Sequence, residues 1–379
     1  MISAPPAVTG ARLSDIDTPA LLIDLDAFEG NLQRMANFAR ASGVALRPHA
    51  KTHKASAIAA RQLALGAVGV CCQKVAEAEV MVANGIADVL VSNEVVGNAK
   101  LDRLVHLARR AKIGVCVDHP EGIAELEAAA RRAAARLSVL VEIDVGGRRC
   151  GAAPGAPAAE LARRIAASTH LTVAGLQAYH GSAQHVRDYA ERARAIAAAH
   201  ACVAVTQRAL GEVGLVAPTI SGAGTGSYAL EAAGAPLTEV QPGSYVFMDA
   251  DYARNRGADG APGDGFAHAL FVYATVMSTP APERAILDAG HKALSIDSGM
   301  PVPWKLPGAV YHRPSDEHGI LDLAGCAARP RWGDKVLLVP GHCDPTVNLH
   351  DWYVGVRGLA TPEAHVACLW PVDARGALF

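Results

Sequence analysis

Lys51 lies in a basic nine-residue stretch, Leu46-Arg47-Pro48-His49-Ala50-Lys51-Thr52-His53-Lys54. The apolar run Gly43-Val44-Ala45-Leu46 before it reads as a buried strand, and the alanine-rich segment from Ala55 to Leu65 reads as a helix. A lysine at the C-terminal lip of a buried strand loses solvent and lies near other positive charges. Both effects depress an amine's pKa and make it a nucleophile for a carbonyl cofactor. Alone, these nine residues read more simply as a solvated turn, so the rest of the chain must supply the cofactor's other contacts. Ser221-Gly222-Ala223-Gly224-Thr225-Gly226-Ser227 and Gln241-Pro242-Gly243-Ser244-Tyr245 are loops of small residues that expose backbone N–H groups to an anion, with Thr225 and Ser244 adding hydroxyl donors. A phosphate held there and a lysine at the far end match the dimensions of pyridoxal 5′-phosphate. Arg149, in Asp144-Val145-Gly146-Gly147-Arg148-Arg149-Cys150-Gly151, can reach across to the pyridine nitrogen. An arginine cannot give up its proton, so that nitrogen stays largely unprotonated and the cofactor is a weaker electron sink.

A second kind of chemistry is suggested by His342-Cys343-Asp344. In extended chain, residues i and i+2 point the same way, so His342 and Asp344 can share one ion while Cys343 faces opposite. Imidazole plus carboxylate suits Mn²⁺, Mg²⁺, Co²⁺ or Zn²⁺, and two protein ligands leave most of the shell to water or substrate. Such a pair is also commonly structural. His180 and His185, in Tyr179-His180-Gly181-Ser182-Ala183-Gln184-His185, stand near the same expected rim. Asp316-Glu317-His318-Gly319 reads as a solvated turn or as part of a partner's active-site rim.

These groups need a frame that brings them together. Apolar runs alternate with amphipathic helical stretches from about residue 20 to 250, with helices such as Phe28–Arg40, where Leu32, Met35 and Ala39 recur at helical spacing. The strand-like runs are Ala20–Ile23, Val44–Arg47, Val68–Cys72, Asp88–Val91, Ile113–Val117, Ser138–Ile143, Leu171–Ala178, Pro218–Ser221 and Leu237–Val240. Buried Val/Ile/Leu-rich strands in repeated β–α units imply a parallel sheet, and this many imply a closed (β/α)8 barrel of the TIM type. Nine runs are one too many, so Ala20–Ile23 is assigned to another sheet. Lys51 then ends the first barrel strand, and the two small-residue loops follow strands seven and eight, the habitual phosphate site of barrels. An open doubly wound sheet competes, but no GxGxxG follows an early strand. Asn255 to Gly265 reads as a loop. Beyond it Ala269–Met277, Arg284–Asp288, Lys335–Val339, Trp352–Val356 and Val366–Pro371 read as strands of an all-β domain. The expected division is a cofactor-binding barrel over 26–256 and a β domain over 257–379, joined by the N-terminal strand at 14–25.

Composition bounds the partners. The chain has 379 residues, 51% hydrophobic and 19% charged, enough for a large core without a disorder signature. A formal net charge of −2 provides no basic field for nucleic acid or anionic lipid. No run approaches the roughly twenty apolar residues of a membrane span, and Met1 to Leu13 does not look like a signal peptide. The eight cysteines form no CxxC and read as buried reduced thiols of a cytoplasmic protein.

Taken jointly, Pro48-His49-Ala50-Lys51-Thr52-His53-Lys54, Cys71-Cys72-Gln73-Lys74-Val75, Gly175-Leu176-Gln177-Ala178-Tyr179-His180-Gly181, Gly224-Thr225-Gly226-Ser227, Gln241-Pro242-Gly243-Ser244-Tyr245 and Pro340-Gly341-His342-Cys343-Asp344-Pro345-Thr346 resemble the D-threonine aldolase family. The resemblance runs from about Asp17 to the C-terminus. His350-Asp351-Trp352-Tyr353-Val354-Gly355-Val356-Arg357 and Trp370-Pro371-Val372 look closest to its 3-hydroxyaspartate aldolase branch. The resemblance implies an alanine-racemase-like, fold type III enzyme with pyridoxal 5′-phosphate and a divalent metal, cleaving D-β-hydroxy-α-amino acids. It implies Lys51 as the Schiff-base lysine, with Gln73, Arg149, Tyr179, Gly224, Thr225, Gly243, Ser244 and Tyr245 around the cofactor. It further implies His342 and Asp344 as metal ligands and His185 near the substrate hydroxyl. Ala223 departs from the Gly-Gly-Gly-Thr-Gly of some members, though alanine can still expose its N–H. Dehydratase relatives generally carry cysteine where this chain has Asp344, which favours aldol chemistry over expulsion of the hydroxyl; an amino-acid racemase has no use for the His-x-Asp pair. The resemblance also implies a two-fold homodimer, with each β domain bringing His342 and Asp344 to the cofactor of the other chain.

Overall fold

A computed structural model of the chain describes residues 3–234, 236–263 and 265–379. Eight parallel strands form the first sheet: β2 (Ala45–Leu46), β3 (Val70–Cys72), β4 (Asp88–Glu94), β5 (Lys112–Val117), β6 (Leu137–Glu142), β7 (Leu171–Ala178), β8 (Thr219–Gly222) and β9 (Glu239–Val240). Pairing runs from β3 through β4 to β9 and on to β2. The remaining seam is closed by Ala50 N donating to Cys71 O at 2.7 Å, Cys71 N to Pro48 O at 2.8 Å and Val68 N to Leu46 O at 2.9 Å. The sheet is therefore a closed barrel, as its buried apolar strands require.

The helices between the strands are α1 (Leu25–Ser42), α2 (Ser56–Ala64), α3 (Val75–Ala83), α4 (Asn98–Leu107), α5 (Pro120–Arg132), α6 (Ala156–Ala166), α7 (Tyr189–Glu212) and α8 (Tyr228–Ala232). α1 shows why such segments start and stop where they do. Asp24 caps it by accepting from Asp26 N and Ala27 N at 3.1 and 3.3 Å, and Gly43 ends it in the left-handed region at φ 67°. Its face of Phe28, Leu32, Met35 and Ala39 is buried. Inside the barrel, Cys71, Leu90, Cys116 and Leu140 make a small apolar plug. Beside it Arg47 is buried between Glu239, at 2.9 Å, and Asp88, at 2.7 Å.

The ninth apolar run is strand β1 (Ala20–Asp24), and it lies outside the barrel. It pairs antiparallel with β10 (Leu270–Ala281) and parallel with β16 (Trp352–Arg357) in a predominantly antiparallel sheet. That sheet also holds β11 (Arg284–Leu287), β12 (Val302–Pro303), β13 (Val310–Pro314), β14 (Gly319–Asp322), β15 (Lys335–Val339) and β17 (His365–Pro371). Three of these, β12, β13 and β14, were not expected, because short strands broken by proline and glycine lack a clear alternation. Asp264 lies outside the described residues, as do Met1 and Ile2 of the leading segment. No helix among the described residues is long and apolar enough to cross a membrane. All eight cysteines are free thiols, five of them buried.

The sheet of β10–β17 packs on the barrel's own rim. Tyr353 Oη donates to His53 O at 2.7 Å, Ala374 N to Lys54 O at 2.9 Å, and Cys343 N to the buried Asp249 Oδ2 at 3.0 Å. These contacts set the segment after β15 over the barrel mouth.

Candidate active site

Lys51 leaves the barrel one turn beyond β2 and lines a cavity at the C-terminal ends of the strands. Gln73, Arg149, Tyr179, Gly224, Thr225, Gly243 and Ser244 line the same cavity. Six separate stretches spread over about 190 residues thus converge on one mouth, as the serial positions of their strands require. The two loops are locked together: Thr225 Oγ1 accepts from Tyr245 N at 3.0 Å. The N–H groups of Thr225, Gly243 and Ser244 donate to no protein atom among the described residues. They form a set of donors suited to a phosphate. A Cβ at Gly243 would stand 2.5 Å from Thr52 Oγ1, so only glycine lets this loop approach the lysine turn.

Arg149 sits with its guanidinium 5.4 Å from the Tyr179 ring centre and 3.9 Å from Glu142 Oε1. Glu142, at the end of β6, is pushed up to about 8, first by burial and then by the Glu94 carboxylate, with Arg149 acting against both. Gln73 is held from behind. Its backbone N–H donates to Glu77 Oε2 at 2.8 Å, and Glu77 forms a buried ion pair with Lys54.

The His-x-Asp segment meets Lys51 within one chain. Asp344 Oδ2 accepts from Lys51 Nζ in an ion pair, which corrects the expectation that this pair would reach only the partner's cofactor. The conformation differs from the extended one as well: His342 is the N-cap of a short helix, α9 (Cys343–Val347), and Asp344 lies in its first turn. Cys343 is fully buried away from the site. Asp344 Oδ1 is buried and meets the criteria for no hydrogen bond among the described residues. Against the effect of burial, Lys51 and His342 hold the Asp344 carboxyl well below its ordinary range. His342 Nδ1 pairs with Asp297 Oδ2 at 2.7 Å, which leaves Nε2 as the nitrogen for an ion. An unsatisfied carboxylate oxygen beside an oriented imidazole could serve as two ligands of a divalent ion. Among the described residues no group of three or more His, Cys, Asp or Glu could hold an ion.

Lys51 itself departs from expectation. Burial lowers its pKa, but the charge and hydrogen bond of Asp344 outweigh burial and the amine is raised. The depressed lysine expected from the basic stretch is not found, because the Asp344 carboxylate stands beside it. Burial and Lys51 drive His49 down to about 3, and burial drives His53 down to about 4, so both are neutral imidazoles.

His185 and Tyr245 do not line the cavity. Tyr245 is buried in the core, its hydroxyl accepting from Gln62 Nε2 at 3.1 Å and its ring 5.7 Å from Phe266; only its backbone serves the loops. His185 lies one residue layer out, its ring 5.5 Å from that of Tyr252, which does line the cavity. His180 Nδ1 accepts from Ala183 N at 3.3 Å and is turned into its own loop. Glu317 pairs with Lys292 in an exposed β13–β14 turn. Sequence reasoning gave no role to His49, Ser92, Gln177, Gln241 and Tyr252, all of which line the cavity. Four of them end barrel strands or follow them directly, which was the available signal; Tyr252 offered none.

Residues 23–251 match the family model described as alanine racemase, N-terminal domain, and residues 269–356 match the putative serine dehydratase domain. The D-threonine aldolase of Arthrobacter sp is 48% identical over 98% of this chain and 96% of its own. The 3-hydroxy-D-aspartate aldolase of Paracoccus denitrificans (strain Pd 1222) is 45% identical over 98% and 95%. The crystal structure of D-threonine aldolase from Filomicrobium marinum superposes with a TM-score of 0.95 at 55% identity, covering 99% of this chain and 100% of that one.

Proposed function

The chain belongs to the D-threonine aldolase family, and we infer that it cleaves D-β-hydroxy-α-amino acids to glycine and an aldehyde with pyridoxal 5′-phosphate and a divalent cation. The observation that carries this reading is the Asp344 carboxylate, which reaches the Lys51 amine and keeps one buried oxygen unsatisfied in the same mouth. Lys51 would hold the cofactor through its aldehyde, and the free N–H groups of Thr225, Gly243 and Ser244 would take its phosphate. Tyr179, Gln73 and Gly224 would wall its ring, and Arg149 would face its nitrogen. When bound, the cofactor accepts the electron pair released as Cα–Cβ breaks. His342 and Asp344 would hold the cation, with Mn²⁺, Mg²⁺, Co²⁺ and Zn²⁺ all suited to an imidazole–carboxylate pair. A cation there would lower the hydroxyl's pKa, and His185 would be the group to take its proton.

The two units are the barrel over 26–256 and the β domain over 257–379 with its N-terminal strand at 14–25. The enzyme works as a homodimer with each site built from one chain. Eight free thiols support a reducing, cytoplasmic setting.

The test is a panel of D-threonine, both 3-hydroxyaspartate diastereomers and D-phenylserine, each run with the four metals. Glycine plus aldehyde is the expected product, abolished by EDTA. Ammonia plus a keto acid would instead assign a dehydratase, and metal-independent turnover would remove His342 and Asp344 from the mechanism.

A further inference from the structure

We infer that Asp251 is a positioning residue for His185, fixing which of its ring nitrogens faces the reacting hydroxyl. The inference rests on the reading of His185 as the group that takes the hydroxyl proton. Asp251 is 3% exposed and follows Ala250, whose N–H donates to Pro340 O at 3.0 Å, two residues before His342. Its Oδ2 stands 2.6 Å from His185 Nδ1, so the ring donates Nδ1–H and Nε2 keeps the lone pair. His185 Nε2 bonds to no protein atom among the described residues, and the ring is about half exposed. The other carboxylate oxygen, Oδ1, accepts from Arg187 and from Arg254.

Two guanidiniums on one buried carboxylate hold it ionised. Burial would raise the Asp251 carboxyl, but Arg187, His185 and Arg254 together bring it below its ordinary range. Asp251 therefore accepts a hydrogen bond from the ring without taking its proton. The anchoring continues on both sides. Arg187 Nη1 also donates to Asp251 O and Asn255 Oδ1, at 2.8 and 2.7 Å, and Arg254 Nη2 donates to Ser298 O at 3.0 Å. Ser298 follows Asp297, the partner of His342. Two residues before Asp251, Asp249 takes the N–H of Cys343. One residue after it, Tyr252 lines the cavity and holds its ring 5.5 Å from that of His185. A single short segment, 249–254, thus sets His185, the cavity wall and the His-x-Asp turn relative to one another.

The proton path balances on these atoms. The β-hydroxyl proton passes to His185 Nε2 and the ring becomes an imidazolium. Its new positive charge faces the Asp251 carboxylate, Cα–Cβ cleavage releases the aldehyde, the half-exposed ring returns the proton to solvent, and Cα takes one proton in exchange to give glycine. An asparagine at 251 can offer an N–H to Nδ1, which moves the ring proton to Nε2 and removes the base. The loss expected in kcat is roughly 10²–10⁴-fold.

The experiment uses the holoenzyme with its metal and compares Asp251→Asn, His185→Gln and the double variant in two reactions. One is aldehyde release from a β-hydroxy substrate. The other is exchange of a glycine α-hydrogen in D2O, which involves no hydroxyl proton. Expected is loss of aldehyde release in both single variants, no further loss in the double, and glycine exchange within about threefold of wild type in all three. If Asp251→Asn releases aldehyde at the wild-type rate while His185→Gln does not, the inference about Asp251 is wrong and the role of His185 stands. Wild-type aldehyde release by His185→Gln overturns the reading beneath it. Multiplying losses in the double variant, or an equal loss of glycine exchange in Asp251→Asn, would make Asp251 a structural residue only. Unchanged cofactor absorbance and thermal midpoint show that the Asp251→Asn protein is folded. Should it not fold, Arg254→Gln, which removes one of the two guanidiniums on Oδ1, must show the same split between the two reactions.

Discussion

Mixing two dead enzymes asks whether one chain builds a whole site. On the proposed reading Lys51→Ala would remove the cofactor's anchor and His342→Ala a metal ligand, and each is expected to be inactive alone. In a homodimer with free subunit exchange, an equal mixture contains half mixed dimers. If His342 served the partner's cofactor, each mixed dimer would keep one intact site and one doubly damaged site, and the mixture would recover about a quarter of wild-type activity. The Lys51–Asp344 ion pair lies within one chain, and His342 caps the short helix whose first turn carries Asp344. Each chain of the mixed dimer then carries its own lesion, no intact site exists, and the expected recovery is nil. The assay is aldehyde release after incubation under conditions where differently tagged subunits are shown by native mass spectrometry to have exchanged. Recovery near one quarter would refute the single-chain site. Both parents must retain the wild-type dimer fraction, since a dissociated variant cannot complement anything.

Tyr245→Phe should lose about 1 kcal/mol of stability by chemical denaturation, since the buried Gln62 amide loses its acceptor, while kcat/KM stays at wild type because the ring does not line the cavity. Ala223 holds a left-handed φ of 63° next to the phosphate loop, so Ala223→Gly should raise stability by about 1 kcal/mol; a loss would mean that the packing of its methyl outweighs the strain. Glu231 is pushed from 4.5 up to about 7 by burial, against hydrogen bonds from Ser227 and Ala223. The folded state therefore binds its proton more tightly than the unfolded chain, and its contribution, complete below pH 4.5, is lost as pH rises through 7. Glu231→Gln should flatten that part of the stability curve, which spans about 3 kcal/mol, as followed by thermal midpoints from pH 4 to 8; an unchanged slope would contradict the assignment.

What the sequence could and could not reveal follows from the distance over which each interaction acts. The barrel was legible because β–α alternation is local, and β1 could be set apart because a closed sheet of this kind has room for eight strands. The positions of Lys51, Thr225, Ser244 and Arg149 followed from strand order alone. Local signals also existed where the reading erred. Pro345 stands in the first turn of α9, where its missing N–H costs nothing, so Asp344-Pro345 marked a helix start rather than an extended pair. The pKa of Lys51 was different in kind. Its direction is decided by Asp344, 293 residues away, and no local pattern of histidines and lysines carries that carboxylate. The same holds for Asp251, which meets His185 across 66 residues. Side chains at the ends of strands can be placed by counting strands. The charges that tune them arrive from the other sheet, and they become readable only when the β10–β17 sheet is laid on the barrel rim.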